Sequence, residues 1–199
     1  TVTLSQPANP AFPVQTFNVN ANTSLSVDMT GVLALLENQP ANTVLNKGLL
    51  IQSTSPITCY YDITNPFNGD MYALKGKNAL GQKFTVPMQQ SFFSGGIPTY
   101  MASIEIVATI DNTTVTILPK NNLVGHAAGV PFTVVLNKGQ TYSCVAESND
   151  PANRPGGTIL TADKPIAVST KDDSISYPGY GCMDTAGDQL IPDILAGKE

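Results

Sequence analysis

Hydrophobic and polar residues alternate along most of this chain with a period of two, which is the spacing of a β-strand with one buried face. The alternation is clearest at 104–110, where Ile and Ala occupy every second position. The turn residues Asp111 and Asn112 follow, and 113–118 then alternates again. We therefore predict a β-hairpin over 103–118, in which Asn112 tolerates the left-handed conformation of the turn.

Further short strands are predicted wherever similar segments are bounded by Gly, Pro, Asn or Asp. They lie at 16–20, 24–29, 48–52, 57–61, 83–86, 131–137, 141–146, 157–162 and 165–170. The segment 29–37 instead places Val32, Leu35 and Leu36 at helical spacing and predicts one or two turns of helix. Many short strands without intervening helices predict an all-β fold, an antiparallel β-sandwich or barrel with little helix.

Several segments recur in the same order, at offsets of 109 to 118 residues. The initial Thr-Val-Thr-Leu returns as Thr-Val-Thr-Ile at 114–117, and 48–61 matches 157–170. The shared order predicts two internally duplicated β-sandwich units of about 100–115 residues. We expect a first module at 1–98, which lacks an N-terminal partner strand, and a second at 99–199, which is truncated in its last strand. The sequence leaves open whether the two are separate sandwiches or share strands.

Composition narrows the classes of function. The chain is 42% hydrophobic and only 13% charged, which favours a folded core over disorder. Its net charge of −5 makes nucleic-acid binding improbable, since few cations are present to neutralise phosphates. No apolar run reaches the roughly 18 residues that a membrane-spanning helix needs. Because it starts at Thr1 without a leader, we interpret the chain as a processed segment of a longer protein.

Cysteine and histidine are scarce. With Cys59, Cys144, Cys182 and the single His126, a structural zinc site is nearly excluded. We interpret Cys59 and Cys144 as small buried residues on strands, and Cys182, in a Gly-rich loop, as the thiol that could react or form a disulfide. His126 lies among small residues without a GxSxG motif elsewhere, so we interpret it as a loop residue without a catalytic role.

Oxygen-bearing side chains raise two further possibilities. Asp62, Asn65, Asn68 and Asp70 occur within nine residues and are ligand types that calcium prefers. Their spacing is not that of an EF-hand, and such residues are common in turns, so calcium binding is left open and no metal site is assigned.

Paired carboxylates could also support a glycosidase. The available pairs are Asp172 with Asp173 and Asp184 with Asp188. Neighbouring loop acids are usually only solvated, and the absence of Trp disfavours a carbohydrate cleft. Aromatic residues could instead provide exposed contacts in loops or pack in the core; these are Tyr60, Tyr61, Tyr72, Phe92, Phe93 and Tyr100.

A series of short sequence motifs, which covers most of residues 44–190, resembles a known family. They are NKG at 46–48, SPI at 55–57, ALGQKF at 79–84, IVATIDNTTVTI at 106–117, LNKGQTY at 136–142 and ADKPIAV at 162–168. They resemble the N-terminal domain of IgG-Fc-binding proteins, a family also found in predicted surface proteins of Bacteroidetes-type bacteria. The resemblance implies an extracellular, β-rich, non-enzymatic module without catalytic residues. It also implies a Cys pair after the Lys-Pro-Ile-Ala-Val strand, where this chain has only Cys182. IgG binding is not carried over, because no residue here can be matched to it.

We therefore predict a non-enzymatic extracellular or bacterial cell-surface module, used in adhesion, that binds host or matrix proteins or glycans through loops or sheet edges. A purely structural β-spacer within a larger surface protein is the alternative, and a carboxylate-based hydrolase is the third hypothesis. No cofactor, metal or catalytic residue is predicted. The sequence does not determine the oligomeric state.

Overall fold

The structure, a computed structural model, describes residues 1–65, 68–92, 101–176 and 183–195. Its strands are β1 (Val2–Ser5), β2 (Gln15–Phe17), β3 (Leu50–Ser53), β4 (Cys59–Ile63), β5 (Asp70–Leu74), β6 (Gly81–Thr85), β7 (Ala102–Ala108), β8 (Thr113–Leu118), β9 (Phe132–Leu136), β10 (Thr141–Val145), β11 (Ile159–Ser176) and β12 (Met183–Gln189). The helical elements are α1 (Leu33–Leu36) and 3-10 turns at Thr30–Val32, Gly76–Ala79 and Pro151–Asn153. The predictions of a mostly β chain and of a short helix within 29–37 are confirmed.

The strands form three antiparallel sheets. One has the order β2-β1-β3, and β4 pairs with β5 in a separate hairpin. The largest has seven strands in the order β10-β7-β11-β8-β9, with β6 and β12 also paired to β11, and it curls towards a barrel. The long strand β11 organises this sheet: its first part pairs with β8 and β6, and its later part pairs with β7 and β12.

The prediction of a hairpin over 103–118 is wrong in its strand pairing. Both strands form, as β7 and β8, and Asn112 adopts a left-handed φ of 53°. Within the described residues, however, β7 pairs with β10 and β11, whereas β8 pairs with β9 and β11. Because β11 is long enough to pair with both β7 and β8, each of these two strands is hydrogen-bonded along both of its edges. A simple hairpin of β7 and β8 would not provide this.

Other boundaries also differ from the predictions. The strands predicted at 157–162 and 165–170 are one strand, in which Pro165 lies at a register shift between β11 and β6. A proline is tolerated there because the ladder is already interrupted. No strand forms at 24–29, and β5 and β12 were not predicted.

The core lies inside the seven-stranded sheet. The inward positions of β7 are the predicted Ile104, Ile106 and Ala108, all at most 1% exposed. The other buried members of the cluster are Phe84, Val86, Val115, Ile117, Leu123, Leu136, Tyr142, Cys144, Leu160, Ile166, Val168 and Leu190. Phe84 belongs to β6, which pairs with β11, so the large sheet includes a strand that lies within residues 1–98. The duplication and the boundary at 98 stay predictions.

Candidate functional site

The β4–β5 hairpin has two chemically different faces. Its register pairs Tyr60 with Ala73, Tyr61 with Tyr72, and Ile63 with Asp70. Side chains alternate between the faces of a strand, so these pairs sort into two sets. We call one set the inner face (Cys59, Tyr61, Ile63, Asp70, Tyr72 and Leu74) and the other the outer face (Tyr60, Asp62, Met71 and Ala73).

Polar contacts fasten the hairpin to β12. The Asp70 carboxylate accepts a hydrogen bond from the Gly187 amide at 2.6 Å, and the Lys75 amide donates to the Gln189 side chain, also at 2.6 Å. The Lys75 ammonium donates to the Gln189 carbonyl and forms an ion pair with Asp188. These bonds satisfy backbone groups on the outer edge of β12, so the hairpin is held in one position against the large sheet.

Aromatic packing completes this attachment. Tyr72 lies over Gly187, where an added Cβ would be 3.1 Å from the ring, and Tyr61 stacks on Tyr72 with ring centroids 5.3 Å apart. Burial, followed by the neighbouring charges of Tyr61 and Asp70, raises the pKa of the Tyr72 hydroxyl well above its ordinary value. Tyr72 therefore stays protonated in a structural contact with β12, whereas Tyr61, which stacks on it, is itself 47% exposed.

The outer face keeps large side chains in water. Tyr60 is 57% exposed and Met71 is 61% exposed. They lie diagonally across the two strands, because Tyr60 pairs with Ala73 and Met71 pairs with Asp62. Tyrosine and methionine are enriched at the centres of protein–protein interfaces, where both bury a large apolar area. This arrangement can bind a complementary surface. Of the aromatic residues considered for loops, Tyr60, Tyr61 and Tyr72 lie on strands, whereas Phe92 lies in a bend after β6.

The four residues considered for calcium are not assembled into one site. Asp62 lies on the outer face and Asp70 on the inner face, where both of its oxygens accept backbone hydrogen bonds. The Asn68 amide donates to the Asp173 carbonyl at 3.1 Å. Across the part of the chain that the structure describes, no group of three or more His, Cys, Asp or Glu side chains could hold a metal ion.

Three of the four candidate acids, Asp172, Asp173 and Asp188, form ion pairs with basic side chains. Asp173 accepts from the Met101 amide at 3.1 Å and from the Lys171 ammonium at 2.8 Å. Burial acts to lower the pKa of Lys171, but the hydrogen bond and charge of Asp173 and the charge of Glu105 outweigh it and raise this pKa. Lys171 therefore stays a cation beside Asp173.

Asp172 forms a buried ion pair that was not predicted. Its carboxylate accepts from Nε of Arg154, and the side chains are 3% and 1% exposed respectively. Arg154 also donates to the Phe92 carbonyl, which ties the segment after β6 to β11. The one distinctive feature in the sequence is that Arg154 is its single arginine. Sequence alone does not show that this arginine is buried.

His126 packs against two aromatic residues. Its ring stacks on Phe132 at 3.5 Å, and its Nε2 lies 3.3 Å from the Tyr142 hydroxyl. Burial lowers the pKa of His126, which favours the neutral ring.

The interpretation as a small buried strand residue holds for Cys144 and only in part for Cys59. Cys144 is buried in β10 and Cys59 is half-buried in β4, both as free thiols. Burial, followed by the charge of Glu105, raises the pKa of Cys144 to about 12. Cys182, Phe93 and Tyr100 lie outside the described residues.

Comparisons with known proteins give one match. A family model described as IgGFc binding protein matches residues 70–199, which is 130 of the 199 residues. The matched range contains β5 and every strand of the seven-stranded sheet. No curated protein and no solved structure matches the chain. None of the helices described is long and apolar enough to cross a membrane.

Proposed function

Because the chain belongs to the IgGFc binding protein family, we propose that it is a non-enzymatic binding module that acts outside the cell, as part of a larger adhesive surface protein. Its partners are proteins or glycans of a host or matrix. The family description supports an extracellular binding role, and it makes an IgG Fc fragment the first partner to test.

The observation that carries the proposal is the outer face of the β4–β5 hairpin. Tyr60 and Met71 remain exposed although the opposite face of the same hairpin is fastened to β12. Because the hairpin is held against β12, its contact residues are already ordered, and binding loses less conformational entropy. Burying each of these side chains against a partner would contribute about 1.5–3 kcal/mol.

Binding measurements with matched variants test this assignment. The immobilised chain is presented with IgG Fc, serum and matrix proteins, and a glycan array. Tyr60→Ala and Met71→Ala each remove an outer-face contact, whereas Leu25→Ala removes an exposed apolar side chain elsewhere and is the control. We expect each outer-face variant to weaken binding about tenfold or more, as interface hot spots do, and Leu25→Ala to leave it unchanged.

The outcomes separate the alternatives. Binding that both outer-face variants leave intact would move the site away from the hairpin. A folded chain that binds nothing in these panels would support the structural-spacer hypothesis instead.

A further inference from the structure

One edge of the seven-stranded sheet has no backbone partner among the residues that the structure describes. β9 pairs with β8 along one side, from Phe132 opposite Ile117 to Leu136 opposite Thr113. Along its other side, backbone groups of 132–136 form no hydrogen bond within the described part of the chain. A strand edge of this kind presents a row of unpaired donors and acceptors to the solvent.

The other edges of this sheet are covered by the chain itself. The outer side of β10 exchanges two backbone hydrogen bonds between Leu45 and Thr141, at 3.0 and 2.8 Å. The outer side of β6 is bonded by Asp193, which donates to the Lys83 carbonyl at 2.9 Å. The hairpin covers the outer side of β12 in the way described above. Among the described residues, β9 is thus the exception in a sheet whose other edges are bonded by the chain itself.

Pro131 directly precedes this edge, but β9 itself, Phe132–Leu136, contains neither a charged residue nor a proline that would protect it. Residues 130–137 read VPFTVVLN, with no charged side chain. Val135 is 56% exposed, and Thr133 beside it is also exposed. Edge strands that must stay single usually carry lysine or another inward-pointing charge, and β-branched residues favour strand pairing.

We propose that β9 is a self-association edge, which pairs antiparallel with β9 of a second copy about a two-fold axis at Val134. This register places Thr133 opposite the partner's Val135, and Phe132 opposite the partner's Leu136. No like charges then face each other between the two strands, although each chain carries a net charge of −5. The contact is isologous, so it closes at two chains.

The residues in and beside β9 favour this register over registers shifted by one or two residues. A slip that changes the paired positions by one residue would bring side chains of opposite faces together. A slip of two towards the N-terminus would place Pro131, which has no amide hydrogen, opposite Val135. A slip of two in the other direction would place Lys138 opposite Phe132.

Sedimentation velocity on the full chain tests the proposal. From about 10 µM to about 1 mM, a range suited to a small interface, we expect the mass to rise from 21.0 kDa towards twice that value. Val135→Lys should raise the dimer dissociation constant about tenfold or more, because it places a charge within the strand pair. Val14→Lys makes the same change at an exposed site away from β9 and should behave as the wild type.

Cysteine cross-linking checks the register independently. In a background without the native cysteines, Val134→Cys should form an intermolecular disulfide on mild oxidation, since residues opposite each other are about 5 Å apart. Thr133→Cys should not, because its own copy lies diagonally, at about 7–8 Å. A chain that stays monomeric throughout the concentration range, or a Val135→Lys variant that dimerises as the wild type does, would overturn the proposal.

Discussion

The buried pair of Arg154 and Asp172 leads to the most demanding prediction. The two side chains are 1% and 3% exposed, so neither charge can be hydrated if its partner is removed. Replacing Asp172 by Asn therefore leaves a guanidinium uncompensated in the core, which typically costs about 3–5 kcal/mol. A domain is stabilised by about 5–15 kcal/mol in total, so this single change should remove a large part of the stability.

The assay is urea unfolding followed by circular dichroism. With a slope of about 2–3 kcal/mol per molar, a loss of this size lowers the midpoint by about 1–2 M at constant slope. The double variant Arg154→Met with Asp172→Leu replaces both charges by apolar groups of similar size. Its loss of unfolding free energy should be smaller, by at least about 2 kcal/mol, than the sum of the losses in the two single variants Arg154→Met and Asp172→Leu.

A neighbouring surface pair provides the control. Lys171→Met disrupts the partly exposed ion pair with Asp173 on the same strand, and it should cost no more than about 1 kcal/mol. The reasoning would be refuted if Asp172→Asn cost as little as Lys171→Met, or if the two changes at the buried pair were additive within about 0.5 kcal/mol.

Three further outcomes follow from the same contacts. Gly187→Ala brings a methyl group to 3.1 Å from the Tyr72 ring. It should therefore destabilise the protein by about 1–3 kcal/mol and increase amide hydrogen exchange in the β4–β5 hairpin. Unchanged exchange in the hairpin would contradict the described packing. Because burial lowers the pKa of His126 below its ordinary 6.5, the unfolded chain binds that proton first, and the free energy of unfolding should fall as pH drops from about 7 through the lowered folded pKa. His126→Phe should flatten this slope in urea titrations at several pH values, and an unaltered slope would assign it to other groups. Burial raises the pKa of Cys144 to about 12, so iodoacetamide at about pH 8 should leave Cys144 unmodified in peptide maps until urea is added; modification of the native chain would show that the thiol is accessible.

The inward faces of the strands could be read from local pattern, and the partners of the strands could not. Alternation at 104–108 identified Ile104 and Ile106 as core residues, which the structure confirms. The same alternation suggested that β7 and β8 pair, because a turn joins them. The strand that lies between them in the sheet, β11, begins more than 40 residues further along the chain.

The acidic residues illustrate the same limit at the site level. Asp62 and Asp70 are near each other in sequence, yet they lie on opposite faces of the hairpin because its register pairs Ile63 with Asp70. That register depends on the length of the connection between β4 and β5, which side-chain chemistry alone does not specify. Likewise, nothing in the local pattern indicated that Asp172 would meet Arg154.

The sequence by itself therefore determined the all-β class, the period of the strands, the inward residues of β7 and the resemblance to a family. Only the tertiary structure decided that β6 and β12 both join β11, that the hairpin has one attached and one exposed face, and that one edge of β9 lacks a backbone partner among the described residues. The physical reason is that alternation reports burial of a side chain, a local property, whereas backbone hydrogen bonds are nearly alike for any two strands. Which strands become neighbours is decided by closing loops and burying the whole core at once.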